Sequence, residues 1–194
     1  ISDAANREKD FKTLVEVQQS KVALDVEKVI KCGELYAERK KELGAMDFDD
    51  LLVNGLRLLR EVEGVRNELQ NQFLHVLVDE YQDTSDVQEA IVSRISRENN
   101  RFMVGDVKQS IYGFRRAEPS LFSFMKETFP PLDKAEGSHT AAVHLSENFR
   151  SSAPVLDFIN RIFDVLFTHT GKSIAYTEGD LLVCGNKKNV PERP

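Results

Sequence analysis

The chain has 194 residues, with 41% hydrophobic and 30% charged, ten Gly and six Pro, a balance that fits a globular protein and not a disordered or collagen-like one. No apolar run approaches the roughly 20 residues needed to span a bilayer, and the N-terminus has no charged-then-apolar signal pattern. Twenty-six Lys and Arg against 32 Asp and Glu give a net charge of −6, so the surface as a whole does not grip nucleic acid and any polyanion site is local.

Cys32 and Cys184 stand far apart, with no CxxC or Cys/His ligand spacing. Neither a disulfide framework nor a zinc site is indicated, and a reducing, cytoplasmic setting fits. From about Glu8 to Leu43, Phe11, Leu14, Val22, Val26, Val29 and Ile30 recur at helical spacing in a stretch dense in Lys and Glu. One long or two shorter scaffold helices with a solvated face are expected. Asp47, with Asp50 three residues on, then caps a helix bearing Phe48, Leu51, Leu52, Leu56 and Leu59, expected to fade before Gly64.

Phe73 to Val78 is a short, branched apolar run that reads as a strand buried on both faces, ending in Asp79-Glu80. Thr84-Ser85-Asp86-Val87-Gln88 holds a Ser-x-x-Gln capping box, with Val87, Ile91 and Ile95 behind it on a helix. Arg101 to Asp106 repeats the strand design, and Pro119-Ser120 opens another helix. Pro130-Pro131 and Gly137 to Thr140 mark a loop, Ala142 to Leu145 reads as a third strand, and Ser151 to Pro154 starts a helix with Val155, Phe158, Ile159, Ile162, Phe163 and Leu166. Strands alternating with helices imply an α/β layer fold with a mostly parallel sheet. Beyond Thr168 the chain turns polar and reads as a linker or a cut end.

Ligands of open parallel sheets bind outside the carboxyl ends of the strands. Three polar clusters fall there: residues 79–83, 105–116 and 145–150. An Asp-Glu pair leaving a buried strand suits a nucleotide hydrolase, with one carboxylate for Mg²⁺ and one to deprotonate water. Solvated turn residues would look the same. Residues 101–116 hold four basic residues against one acidic, interleaved with Tyr112 and Phe114. That alternation suits single-stranded nucleic acid, with phosphates on Arg or Lys and bases on rings, although the rings could equally be core. Arg150 offers a donor fork for a phosphate or for an ion pair with Glu147.

In this order and at these distances the clusters resemble the superfamily 1 helicases of the UvrD/Rep kind. Residues 77–84 (Leu-Val-Asp-Glu-Tyr-Gln-Asp-Thr) resemble motif II, Gly105 to Arg115 motif III, and Leu145 to Ser151 motif IV. Residues 46–52 resemble a segment that precedes motif II. Within the superfamily the likeness is strongest to the AddA subunits of bacterial AddAB helicase/nucleases, with RecB next, and it spans about residues 45 to 185.

The resemblance implies a partial RecA-like (P-loop NTPase) motor domain with an N-terminal helical segment. Residues 1–44 would come from an inserted subdomain, 45–170 from the latter part of helicase domain 1A, and 171–194 from an irregular tail. It implies that Asp79 ligates Mg²⁺, Glu80 is the base for the water attacking the γ-phosphate of ATP, and Gln109 senses that phosphate. Tyr112, Phe114 and Arg115 would contact single-stranded DNA, Arg150 would act as an arginine finger, and Phe149 would stack on adenine where many relatives have Tyr. The implied partners are DNA and an AddB-type subunit, in double-strand-break repair and recombination.

The Gly-x-x-x-x-Gly-Lys-Ser/Thr loop that such a motor needs is absent; Gly171-Lys172-Ser173 has Leu166 where the first glycine belongs. The chain also begins without Met, so an internal fragment, inactive alone as an ATPase, is expected. Alternatives are a UvrD-like repair helicase without a nuclease, or a non-catalytic DNA-binding module without a P-loop.

Overall fold

A computed structural model describes residues 2–7, 9–19, 25–169, 176 and 178–185. The expected Gly171-Lys172-Ser173 loop, the polar tail from Asn186 onward and Val22 lie outside the described residues. The chain forms two units, Ile1–Phe124 and Met125–Pro194.

The first unit opens with helices α1 (Ser2–Asn6), α2 (Phe11–Gln19) and α3 (Val26–Leu43). The long apolar-periodic stretch is thus two helices. Asp25 caps α3 by accepting from the Lys28 N–H at 3.2 Å. Gly44 ends it in the left-handed region at φ 57°, where its N–H reaches the Lys40 and Lys41 carbonyls. Helix α4 (Phe48–Glu61) starts on the expected capping box, Asp47 accepting from Asp50 N–H at 2.8 Å and Asp50 from Asp47 N–H at 2.9 Å. Its Leu56 and Leu59 are buried and α4 packs against α6 (Asp86–Ile95), whose Val87 is buried.

Helix α4 ends at Glu61, before Gly64 as expected. Val62 takes extended backbone, and its N–H closes α4 on the Leu58 carbonyl at 2.9 Å. A further helix, α5 (Glu63–Gln72), then runs through Gly64. Its sequence is too polar to show an apolar stripe.

Strand β1 (Val76–Val78) pairs in parallel with β2 (Arg101–Met103), Val76 facing Arg101, Leu77 facing Phe102 and Val78 facing Met103. Both are shorter than the apolar runs that announce them. Phe73 is spent closing α5 on the Leu69 carbonyl, and its own carbonyl accepts from Asn100 Nδ2 at 3.2 Å. Nor is β1 buried on both faces: Leu77 and Phe102 are 72% and 60% exposed, side by side. A parallel pair is covered on two faces only where helices lie on both, and the described residues cover one. Helix α7 (Ser120–Thr128) leads the chain into the second unit.

In the second unit the expected strand over Ala142 to Leu145 is absent. Ala142 makes an isolated bridge with Pro131, and Val143 and Leu145 are largely exposed. The strand is instead β3 (Glu147–Asn148), parallel to β4 (Val183–Cys184), because β4 reaches only Ser146 to Asn148: Val183 N–H donates to the Ser146 carbonyl and Gly185 N–H to that of Asn148, each at 2.9 Å. Helix α8 (Ala153–His169) packs on β4. The architecture is mixed helical with small parallel ladders, consistent with the α/β class. No helix among the described residues is long and apolar enough to cross a membrane.

Candidate functional site

The chain leaves β1 through Asp79 and Glu80 and tightens at once into a 3-10 turn, Tyr81–Asp83. Tyr81 is fully buried, edge-on to Phe122 with ring centroids 5.6 Å apart. Its hydroxyl donates to Glu89, which pairs with Arg101. Burial, then the Glu89 carboxylate, pushes the Tyr81 hydroxyl far above the usual phenol range. With Tyr81 fixed in the interior three residues after the strand, Glu80 takes the left-handed backbone at φ 50°, ψ 41°. Such a conformation is uncommon for a residue with a Cβ and gathers at functional sites. Asp79 steadies it, its Oδ1 accepting from the Glu80 N–H at 2.9 Å.

Asp79, Glu80 and Asp83 line an open hollow of about 410 Å³ with Val78, Thr84, Gln88 and Val92. Burial, and then the charge of Glu80, pushes the Asp83 carboxyl up, while the Tyr112 backbone N–H pulls it down. An all-oxygen set at a strand end fits Mg²⁺, which takes one or two carboxylates and completes its shell with water and phosphate oxygens. Among the described residues no group of three or more His, Cys, Asp or Glu side chains is placed to hold a metal ion, so protein ligands here number at most two.

The loop after β2 lies against this turn. A Cβ on Gly105 would stand 2.5 Å from Gln82 Oε1 and 3.1 Å from the Tyr81 nitrogen, so glycine permits the close approach. The Asp106 N–H donates to Gln82 Oε1 at 2.9 Å, and Gln82 Nε2 donates to Glu80 Oε2 at 2.7 Å. The Asp106 carboxylate pairs with Lys108 Nζ at 2.8 Å and accepts from Gln109 Nε2 at 3.0 Å. Burial would raise it, but Lys108 and Gln109 hold it below the ordinary carboxylate range. Glu80 and Gln109 are thus joined through Gln82 and Asp106.

A further 3-10 turn, Tyr112–Arg115, carries the aromatic and basic residues to the surface. The rings of Tyr112 and Phe114 lie 5.8 Å apart, and the Arg115 guanidinium sits 5.3 Å from one centroid and 5.6 Å from the other. Phe114 is 73% exposed and so is not a core side chain.

Phe149 and Arg150 belong to the second unit. Asn148 Oδ1 accepts from the backbone N–H groups of Arg150, at 3.0 Å, and Ser151, at 2.8 Å, fixing the turn that presents both residues. The exposed Phe149 ring lies on Gly185, where a Cβ would be 2.6 Å from it. Arg150 is exposed and, among the described residues, makes no ion pair with Glu147.

Sequence reasoning did not single out Gln82, Gly105, Asn148 or Gly185. The available signal was a polar residue inside a tight buried turn for Gln82 and Asn148, and glycine beside a strand end for the other two.

Residues 1–130 match the UvrD/REP helicase N-terminal domain. The chain is 44% identical over 165 residues, 80% of its length, to an ATP-dependent helicase/nuclease subunit of Desulforamulus reducens. It is 38% identical over 175 residues, 90% of its length, to the exonuclease/helicase subunit RexA of Lactococcus lactis, and 43% identical over 153 residues, 79% of its length, to an ATP-dependent helicase/nuclease subunit of Syntrophomonas wolfei. It spans only 13%, 14% and 12% of those relatives. The match over two thirds of its residues establishes that the chain belongs to the UvrD/REP helicase N-terminal domain family.

Proposed function

We propose that the chain is part of the RecA-like motor of an ATP-dependent DNA helicase/nuclease subunit, of the AddA kind, that couples ATP hydrolysis to movement on single-stranded DNA in double-strand-break repair. The observation that carries this reading is the hydrogen-bonded path from Glu80 through Gln82 and Asp106 to Gln109, beside the surface cluster of Tyr112, Phe114 and Arg115. One short loop joins a carboxylate strand end to a basic, aromatic surface, as coupling of nucleotide state to DNA grip requires. The relatives' names, helicase/nuclease subunit in two cases, exonuclease/helicase subunit RexA in the third, support the DNA substrate, the nuclease and a partner subunit of AddB type.

In this reading the segments around Asp79, Gly105 and Glu147 are motifs II, III and IV. Asp79 holds Mg²⁺, which when bound neutralises charge on the phosphates. Glu80 takes the proton of the attacking water, Gln109 contacts the γ-phosphate, and Phe149 stacks on adenine. Arg150 stabilises the charge that develops on the γ-phosphate, a role worth about 10³ to 10⁵ in rate in other NTPases. Tyr112 and Phe114 stack on bases and Arg115 meets a phosphate. The setting is cytoplasmic.

The test is DNA-stimulated phosphate release by the subunit carrying this segment. Glu80→Gln is expected to abolish turnover while nucleotide binding persists; turnover equal to wild type would overturn the assignment. The 194-residue chain alone, without a phosphate-cradling Gly-x-x-x-x-Gly-Lys-Ser/Thr loop, is expected to give none above background.

A further inference from the structure

Gln82 is 1% exposed, yet both ends of its amide are engaged by different segments. Nε2 donates to Glu80 Oε2 at 2.7 Å, and Oε1 accepts from the Asp106 N–H at 2.9 Å. Its backbone carbonyl also accepts from Ser110 Oγ, at 3.3 Å. Only this orientation of the amide works, since flipping it would set NH₂ against an N–H and a carbonyl against a carboxylate. Glycine at 105 admits the amide to this position, since a Cβ there would stand 2.5 Å from Oε1.

We infer that Gln82 is a positioning residue, which aims the Glu80 carboxylate and sets that aim by the position of the 105–110 loop. The inference rests on the proposed role of Glu80 as base. Glu80 has left the strand and stands in left-handed backbone, so the β1 ladder does not direct its side chain. The amide of Gln82 does. The same loop continues into Tyr112–Arg115, so a displacement there shifts the Asp106 N–H, turns the amide with it and moves the carboxylate. DNA occupancy would reach the base through one side chain, with no contact between DNA and Glu80.

The experiment measures DNA-stimulated ATP hydrolysis by the subunit carrying this segment, for wild type, Gln82→Glu, Gln82→Met, and each combined with Glu80→Asp. Gln82→Glu keeps the acceptor for Asp106 and replaces the donor to Glu80 by a second acceptor. Gln82→Met fills the space with neither. Both are expected to lower kcat by about 100-fold, the effect of misplacing a reacting group by about 1 Å, with KM for ATP changed less than about twofold. In the Glu80→Asp background, where the shorter carboxylate falls away from the amide, either change is expected to cost less than about threefold more.

Effects that multiply fully in the double variants, or a raised KM at constant kcat, would overturn the inference while leaving the proposed function standing. A wild-type subunit with no DNA-stimulated hydrolysis would overturn both. If Gln82→Met does not fold, the Gln82→Glu pair decides alone.

Discussion

Arg101 and Glu89 form an ion pair inside the first unit, their side chains only 17% and 16% exposed, with the guanidinium 5.4 Å from the Tyr81 ring centroid. Burial alone would raise the Glu89 carboxyl. Arg101, the Tyr81 hydroxyl and the Ser93 hydroxyl instead hold it below the ordinary carboxylate range. The pair fixes β2 to α6 and, through Tyr81, sets the turn that bears Glu80.

Removing one member leaves the other charged and mostly dry. Arg101→Leu is therefore expected to cost about 2 kcal/mol, below the usual range for fully buried pairs because some water remains. Because the folded Glu89 pKa lies below the unfolded value of about 4.3, its contribution is complete well above that pH and is lost as pH falls through the folded pKa. Thermal melts of wild type should show Tm falling below about pH 4.3, with a shallower fall in Glu89→Gln. Equal slopes would show that the pair does not link folding to pH.

A second charged cluster joins α3 to α4. Lys40 Nζ meets Asp47 at 2.8 Å and Asp50 at 2.7 Å, and the Tyr36 hydroxyl donates to Asp47 at 2.9 Å. Lys40, followed by the Asp50 backbone N–H, holds the Asp47 carboxyl far below its usual range. Asp47→Ala removes both the helix cap and the ion pair and is expected to cost about 1–2 kcal/mol. Asp47→Asn keeps an oxygen for the cap and should cost less. Urea melts of the two variants check this, and equal losses would show that the cap contributes nothing separable from the charge.

What could be read directly from the residues was what depends on neighbours in sequence. The Asp47/Asp50 and Ser85/Gln88 boxes each join residues three apart, so their hydrogen bonds follow from spacing alone. Helix α5 was hidden because residues 63–72 carry too few apolar side chains to mark a face. The apolar run at Leu77 and the facing Phe102 announced a strand, but which face is covered depends on helices elsewhere in the fold. The same holds at the candidate site. The chemistry of Asp79, Glu80 and Arg115 is visible in their residue types, whereas the contact of Gln82 with the Asp106 N–H exists only once β1 and β2 are parallel and in this register.

The cluster of Tyr112, Phe114 and Arg115 makes a separable prediction. Loss of one stacking ring costs about 1–3 kcal/mol per base, so Tyr112→Ala should weaken binding of single-stranded DNA by about 5- to 150-fold at one salt concentration. Arg115→Ala should do something different: weaken binding and reduce the slope of log affinity against log salt by about 0.7. Anisotropy titrations of a labelled oligonucleotide on the subunit, across several salt concentrations, distinguish the two. Unchanged affinity in both variants would remove this loop from the DNA surface.

Asn148 gives the last test, because it touches neither proposed ligand yet fixes the turn that presents Phe149 and Arg150. Asn148→Ala frees two backbone N–H groups and is expected to cost about 1 kcal/mol of stability, as loss of a comparable cap does. Asn148→Asp keeps an acceptor for both groups and should be nearly neutral. If Arg150 acts as proposed, a loosened turn also lowers kcat for ATP, since the guanidinium must be in place before charge develops. Arg150→Ala should then hide most of the Asn148→Ala effect on kcat while leaving its effect on Tm. An Asn148→Ala enzyme that loses stability with full kcat would confine Asn148 to folding and separate the turn from the chemistry.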